Sequence, residues 1–83
     1  MYLYKPTGVC SNQIEFSVEN NVIQKVQFHG GCPGNLQGIS RLVEGMHIDE
    51  AIKRLHGITC GGKSTSCPDQ FSKALISLKK EIA

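Results

Sequence analysis

No run of apolar residues in this chain approaches the roughly 18–20 needed to cross a bilayer as a helix, so a helical membrane protein is not expected. The opening residues, Met1-Tyr2-Leu3-Tyr4-Lys5-Pro6, lack the basic and apolar regions of a secretory leader. The expected setting is therefore the cytoplasm, where cysteines stay reduced. Charge of one sign is also lacking. A net charge of +2 is too small to point to nucleic acid or a membrane surface as partner. No two cysteines form a C-x-x-C pair, which removes the locally built zinc knuckle. Internal repeats, low-complexity tracts and linkers are missing too. With 83 residues, one domain spanning 1–83 is expected, and its apolar core alone leaves a thin stability margin.

What the chain does have is an ordinary globular composition, 40% hydrophobic and 19% charged, with four cysteines and nine glycines. Ile14, Phe16 and Val18 alternate with Gln13, Glu15, Ser17 and Glu19, the period of a half-buried strand. Val22, Val26 and Phe28 are expected to line the same face of a second strand, joined to the first through a turn at Asn20-Asn21. Tyr2 to Lys5 adds a possible third strand, ended by Pro6. Beyond Gly30-Gly31-Cys32-Pro33-Gly34 the spacing becomes helical, with Leu36, Ile39, Leu42 and Val43 on an expected core stripe. Close packing is the expected reason for Gly38 inside this helix, which Gly45 ends. A second helix starts near His47, carries Ile48, Ala51, Ile52 and Leu55 on one face, and stops at Gly57. A third carries Phe71, Ala74, Leu75, Leu78 and Ile82. Ser66 to Asp69 fits a capping box at its start, with Asp in place of the usual Glu or Gln, and Pro68 falls in its first turn. Strands followed by helices predict an α+β fold, a small antiparallel sheet covered on one face by three helices.

On this frame Cys10, Cys32, Cys60 and Cys67 all fall in loops or at element ends, and none lies within an apolar stripe. Ligands occupy such places, because the backbone there can turn to aim sulfur inward. Helix starts favour thiolates, and Gly30, Gly31, Gly61 and Gly62 allow backbone N–H groups close to sulfur. Six residues separate Cys60 from Cys67, so a shared site has to be assembled by the fold from four distant points. His29 offers an alternative ligand, although a strand-end histidine is ordinarily just exposed. His47 and His56 fit helix-end roles. Lys5, Lys25, Lys53, Arg54, Lys63, Lys73, Lys79 and Lys80, with Arg41, are spread as on a solvated surface. Gly34-Asn35 through Gly38 can be read as an anion-binding helix start for a nucleotide, a weak signal alone.

Thr65-Ser66-Cys67-Pro68-Asp69 spells the pentapeptide that names the TSCPD family, and the chain resembles its short, stand-alone bacterial members. That family carries cysteines like Cys10, Cys32 and Cys60 upstream. A similar domain lies at the C-terminus of vitamin-B12-dependent ribonucleotide reductases, so the resemblance implies a reductase, or another protein, as partner. It points to ribonucleoside-diphosphate reductase association in DNA biosynthesis. An intact reductase does not fit in 83 residues, and no catalytic activity is expected of the chain alone.

A more distant likeness is to the U-type iron–sulfur scaffold proteins. Gly31-Cys32, Gly45 through Asp49-Glu50-Ala51, and Cys67 follow that family's order. The likeness implies a similar fold, with Cys10, Cys32 and Cys67 holding a [2Fe–2S] cluster or zinc. Ser66 replaces the scaffold's His, Ser11-Asn12 replaces its Gly-Asp, and Cys60 is an extra thiol. A fourth cysteine closes the coordination shell, which suits stable binding better than cluster transfer.

The favoured function is thus a four-cysteine metal-binding module, with zinc preferred to an iron–sulfur cluster. A thiol zinc site can contribute about 10–16 kcal/mol to a small domain. One alternative is a thiol–disulfide redox module that uses Cys60 and Cys67 across a flexible Gly61-Gly62-Lys63-Ser64 stretch to serve ribonucleotide reduction. Another is a protein-interaction domain with incidental cysteines.

Overall fold

The computed structural model describes residues 2–9, 11–31 and 33–82, so Cys10 and Cys32 lie outside the described residues. Three strands, β1 (Tyr2–Tyr4), β2 (Ser11–Glu19) and β3 (Val22–Gly30), form an antiparallel sheet in the order β1-β2-β3. Three helices follow, α1 (Pro33–Val43), α2 (Ile48–Leu55) and α3 (Cys67–Ile82). The fold is the expected α+β arrangement. No described helix is long and apolar enough to cross a membrane.

The β2–β3 turn is made by Asn20 and Asn21, with φ of 54° and 64°. Two successive positive φ values match the right-handed twist of the strands, and asparagine tolerates them. The inward faces of the strands pair Ile14 with Phe28, Phe16 with Val26, and Val18 with Ile23. Here the structure corrects one expectation: Ile23, not Val22, enters the core, where it is fully buried. The register shifts between Ser17 and Val18, so Gln24 is an extra residue that moves everything before it to the opposite face. A second shift, between Ser11 and Gln13, leaves Asn12 unpaired and turns Ser11 to the helix side.

Phe71 of α3 stands at the centre. Its ring packs edge-on against Phe16 at 5.4 Å and against Phe28 at 6.0 Å, and Tyr2 stacks on the far side of Phe16 at 5.5 Å. Ala74, Leu75 and Leu78 continue the α3 stripe, with Ile48 and Ala51 of α2 and Val43 of α1 completing the core. Burial of this apolar surface is the main stabilising term. The turn between α1 and α2 runs along β3. Ile23 N–H donates to Met46 O at 2.9 Å, Gly45 N–H to Ile23 O at 2.7 Å, and Val26 N–H to the Glu44 carboxylate at 3.3 Å. The first half of that sheet edge therefore has partners for its polar groups.

Two further expectations for α1 change. Leu42 is 75% exposed, because the buried stripe runs through Leu36, Ile39 and Val43 and residue 42 falls outside its arc. Gly38 is exposed and a Cβ there would meet nothing within 4 Å, so close packing does not explain it. In α2, His47 is the N-cap and its Nδ1 accepts from Asp49 N–H at 3.1 Å. Asp49 also receives Lys79 of α3 at 2.6 Å, and this hydrogen bond holds its carboxyl below the ordinary value.

Candidate thiol site

Ser66 begins the site by capping α3. Its Oγ accepts from Asp69 N–H at 3.2 Å and donates to Ile58 O at 2.7 Å. Half of the expected capping box is therefore present. The other half is replaced, because the Asp69 carboxylate does not return to the cap. Its Oδ1 accepts from Gly57 N–H at 2.7 Å, and its Oδ2 from the Thr65 hydroxyl at 2.6 Å and from Lys73 at 3.1 Å. Burial pushes the Asp69 carboxyl up, but the Thr65 hydroxyl, the Gly57 N–H and the Lys73 ammonium outweigh it and hold the group down at about 2.

Cys67, the first residue of α3, is buried at the helix start, and Cys60 is exposed in the loop before it. Both are free thiols. They share one largely apolar groove of about 380 Å³, whose opposite wall is Asn35, Leu36 and Ile39 of α1. Cys60 N–H donates to Thr65 O at 3.2 Å, and Lys63 N–H closes a turn on Cys60 O at 3.0 Å. The Gly61-Gly62-Lys63-Ser64 stretch begins in this turn, with Gly61 at a φ of +57°. From the sheet side, Ser11 Oγ lies 3.2 Å from Cys67 Sγ in a buried hydrogen bond. The irregularity at Asn12 puts Ser11 there, opposite Gly30.

Of the four cysteines singled out in the sequence, the structure brings Cys60 and Cys67 to one groove, while Cys10 and Cys32 lie outside the described residues. His29 Nε2 is engaged by Glu15 at 3.0 Å on the outer face of the sheet, and His47 is occupied as a cap. Among the described residues no group of three His, Cys, Asp or Glu side chains is placed to hold a metal ion.

The TSCPD domain model matches residues 2–79. The chain belongs to the TSCPD-domain family. No curated protein and no solved structure matches it. Within this TSCPD domain the signature has a physical content that its letters do not convey. Thr65 and Asp69 tie the loop to the helix, Ser66 caps it, and Pro68 sits in a first turn where a missing N–H costs nothing. Cys67 is the one member of the signature whose side chain faces the groove with a reactive atom.

The sequence did not single out Ser11, Thr65 or Gln70 as parts of this site. Gln70 Nε2 donates to Thr65 Oγ1 at 3.0 Å, and its Oε1 accepts from Thr7 N–H at 3.1 Å. The available signal was the polar run Thr65-Ser66 and Asp69-Gln70 beside an apolar helix stripe, a composition that buries only when every group has a partner.

Proposed function

We propose that this TSCPD domain is a metal-binding module in which Cys10, Cys32, Cys60 and Cys67 supply four thiolates, with zinc the favoured ion and an iron–sulfur cluster the alternative. The observation that carries the reading is the shared groove of Cys60 and Cys67. The chain segments that lead from the other two cysteines support it. Ser11, next after Cys10, touches Cys67, and the α1 turn that follows Cys32 contributes Asn35 and Leu36 to the groove wall. The donor chemistry fits: thiolates suit both zinc and iron–sulfur clusters, and the groove wall is mostly apolar. Two thiols alone do not hold a structural zinc, so the reading requires Cys10 and Cys32. When bound, the ion supplies a fixed junction between four chain segments. The protein's own part is orientation, with the Ser11 hydroxyl on the Cys67 sulfur and the turn at 60–63 holding Cys60.

The same groove favours one rival, a Cys60–Cys67 dithiol working in thiol–disulfide exchange, with the exposed Cys60 as the accessible partner. The family's likeness to a reductase C-terminal domain supports a place beside ribonucleotide reduction under either reading. Metal analysis and a visible spectrum of freshly purified protein test the first. About one equivalent of zinc in a colourless protein is expected, whereas a brown protein indicates a cluster. Replacing Cys10 by Ser separates the readings: metal content and stability fall if Cys10 is a ligand, and barely change if Cys60 and Cys67 act as a pair. Protein free of metal, with a Cys60–Cys67 disulfide by intact mass, overturns the metal reading.

A further inference from the structure

Three polar side chains, Thr65, Asp69 and Gln70, are buried together beneath the thiol groove. A helix cap does not require them, since Ser66 alone caps α3. Burying a carboxylate, an amide and a hydroxyl is unfavourable unless they are partnered, and among the described residues no buried side-chain oxygen or nitrogen lacks a partner. Their partners lie on three separate stretches of chain. Asp69 binds Gly57 N–H and the Thr65 hydroxyl, closing both ends of the loop that carries Cys60. The Thr65 carbonyl accepts from Cys60 N–H itself. Gln70 joins Thr65 to Thr7 N–H, three residues before Cys10, and a Cβ at Gly8 would lie 3.4 Å from the Thr65 methyl.

We propose that the Thr65–Asp69–Gln70 knot is the positioning device of the thiol site. It sets Cys60 against Cys67, and it fixes the approach of the segment leading to Cys10, while supplying no ligand itself. The inference rests on the thiol-site reading above but adds to it. Both Asp69 carboxylate oxygens are engaged, Oδ1 by Gly57 and Oδ2 by Thr65 and Lys73, and Asp69 does not line the groove, so its effect on the site is indirect. Thr65 is the node, because its hydroxyl donates to Asp69 while accepting from Gln70, and its carbonyl holds Cys60. The hydroxyl donates and accepts at one oxygen atom, which an apolar side chain of the same shape does not.

Thr65→Val and Thr65→Ser form the decisive pair, since neither alters charge and valine keeps the shape of threonine. Asp69→Asn is the companion variant. Alkylation of each cysteine, followed by peptide mapping in metal-free protein well below its melting temperature, reads positioning directly. In Thr65→Val and Asp69→Asn, Cys67 is expected to react about tenfold faster or more, as a buried hydrogen bond no longer holds the loop closed. Cys60, already exposed, keeps its rate, and Thr65→Ser behaves like the parent. Zinc affinity is expected to fall by about 10–100-fold in the same two variants, the usual effect of losing a group that orients a ligand. If melting temperature drops while Cys67 protection and zinc affinity stay as in the parent, the knot is merely structural and the proposal is overturned. A parent protein that takes up no zinc defeats the metal reading alone. The alkylation rates then still decide whether the knot positions the thiols.

Discussion

Asp69 is a carboxylate with almost no contact with water, held ionised by two hydrogen bonds and the Lys73 ammonium. Its folded pKa of about 2 lies below the ordinary 3.8, so the unfolded chain binds the proton more readily. The stabilisation it brings is therefore complete above the unfolded value. It is lost as acidity increases from about pH 5 through the folded pKa near 2. The shift corresponds to about 2 kcal/mol, with about half of it gone by pH 3. Denaturant unfolding of metal-free protein at pH 6 and pH 3 should show the parent losing about 1 kcal/mol more than Asp69→Asn. Asp49, whose carboxyl is also held low, is common to both proteins and cancels in the comparison. Equal losses would mean that folding leaves the Asp69 pKa unchanged, and a smaller loss in the parent that its carboxyl is protonated in the folded state. Asp69 also marks how far the site was legible in the sequence. Its place in the first turn of α3 followed from the capping pattern. Its partners Gly57 and Thr65 did not, because local pattern carries no information about which distant N–H a buried oxygen will meet.

At the level of elements, the hairpin and the three helices were legible because their signals are local: alternation for β2, a double asparagine for the turn, and glycine after α1 and α2. The irregularities at Asn12 and Gln24 were not. Inserting one residue reverses the facing of a strand without leaving a mark in its composition, and this moved Ile23 rather than Val22 into the core. The same device delivered Ser11 to Cys67, so the part of the site contributed by the sheet was hidden for the same reason. In α1 the four apolar positions overstated the stripe, and Leu42 remains in water. Gly38 is a plain weakness in that helix. It is exposed, and an added methyl group meets nothing within 4 Å. Gly38→Ala should therefore stabilise the protein by about 0.5–1 kcal/mol, through helix propensity and a less flexible unfolded chain. In a thermal melt this appears as a rise of a few degrees, roughly 4–8 °C per kcal/mol for a chain of this size. A fall in the midpoint would show that position 38 requires glycine for a contact beyond the fold described.

Over the whole molecule, the apolar core joins the sheet to the helices, but the groove end relies on polar knots and single hydrogen bonds. Small domains of this kind gain most from a cross-link there. The intervals between successive cysteines are 21, 27 and 6 residues, so an ion held by all four closes two long loops and one short one. Closing long loops restricts the unfolded chain most, and an ion that binds only the folded state adds stability that depends on its concentration. On the proposed reading, the midpoint of unfolding rises with free zinc and falls when a chelator removes it. At a hundredfold excess over the dissociation constant, the gain is about 2.7 kcal/mol, or on the order of 10 °C for a domain of this length. Cys32→Ser and Cys67→Ser should each abolish the dependence, although they are 35 positions apart in the chain, because each removes a ligand of one ion. A midpoint that ignores zinc in the parent, or that still responds in both variants, would show that the four cysteines do not act as one site.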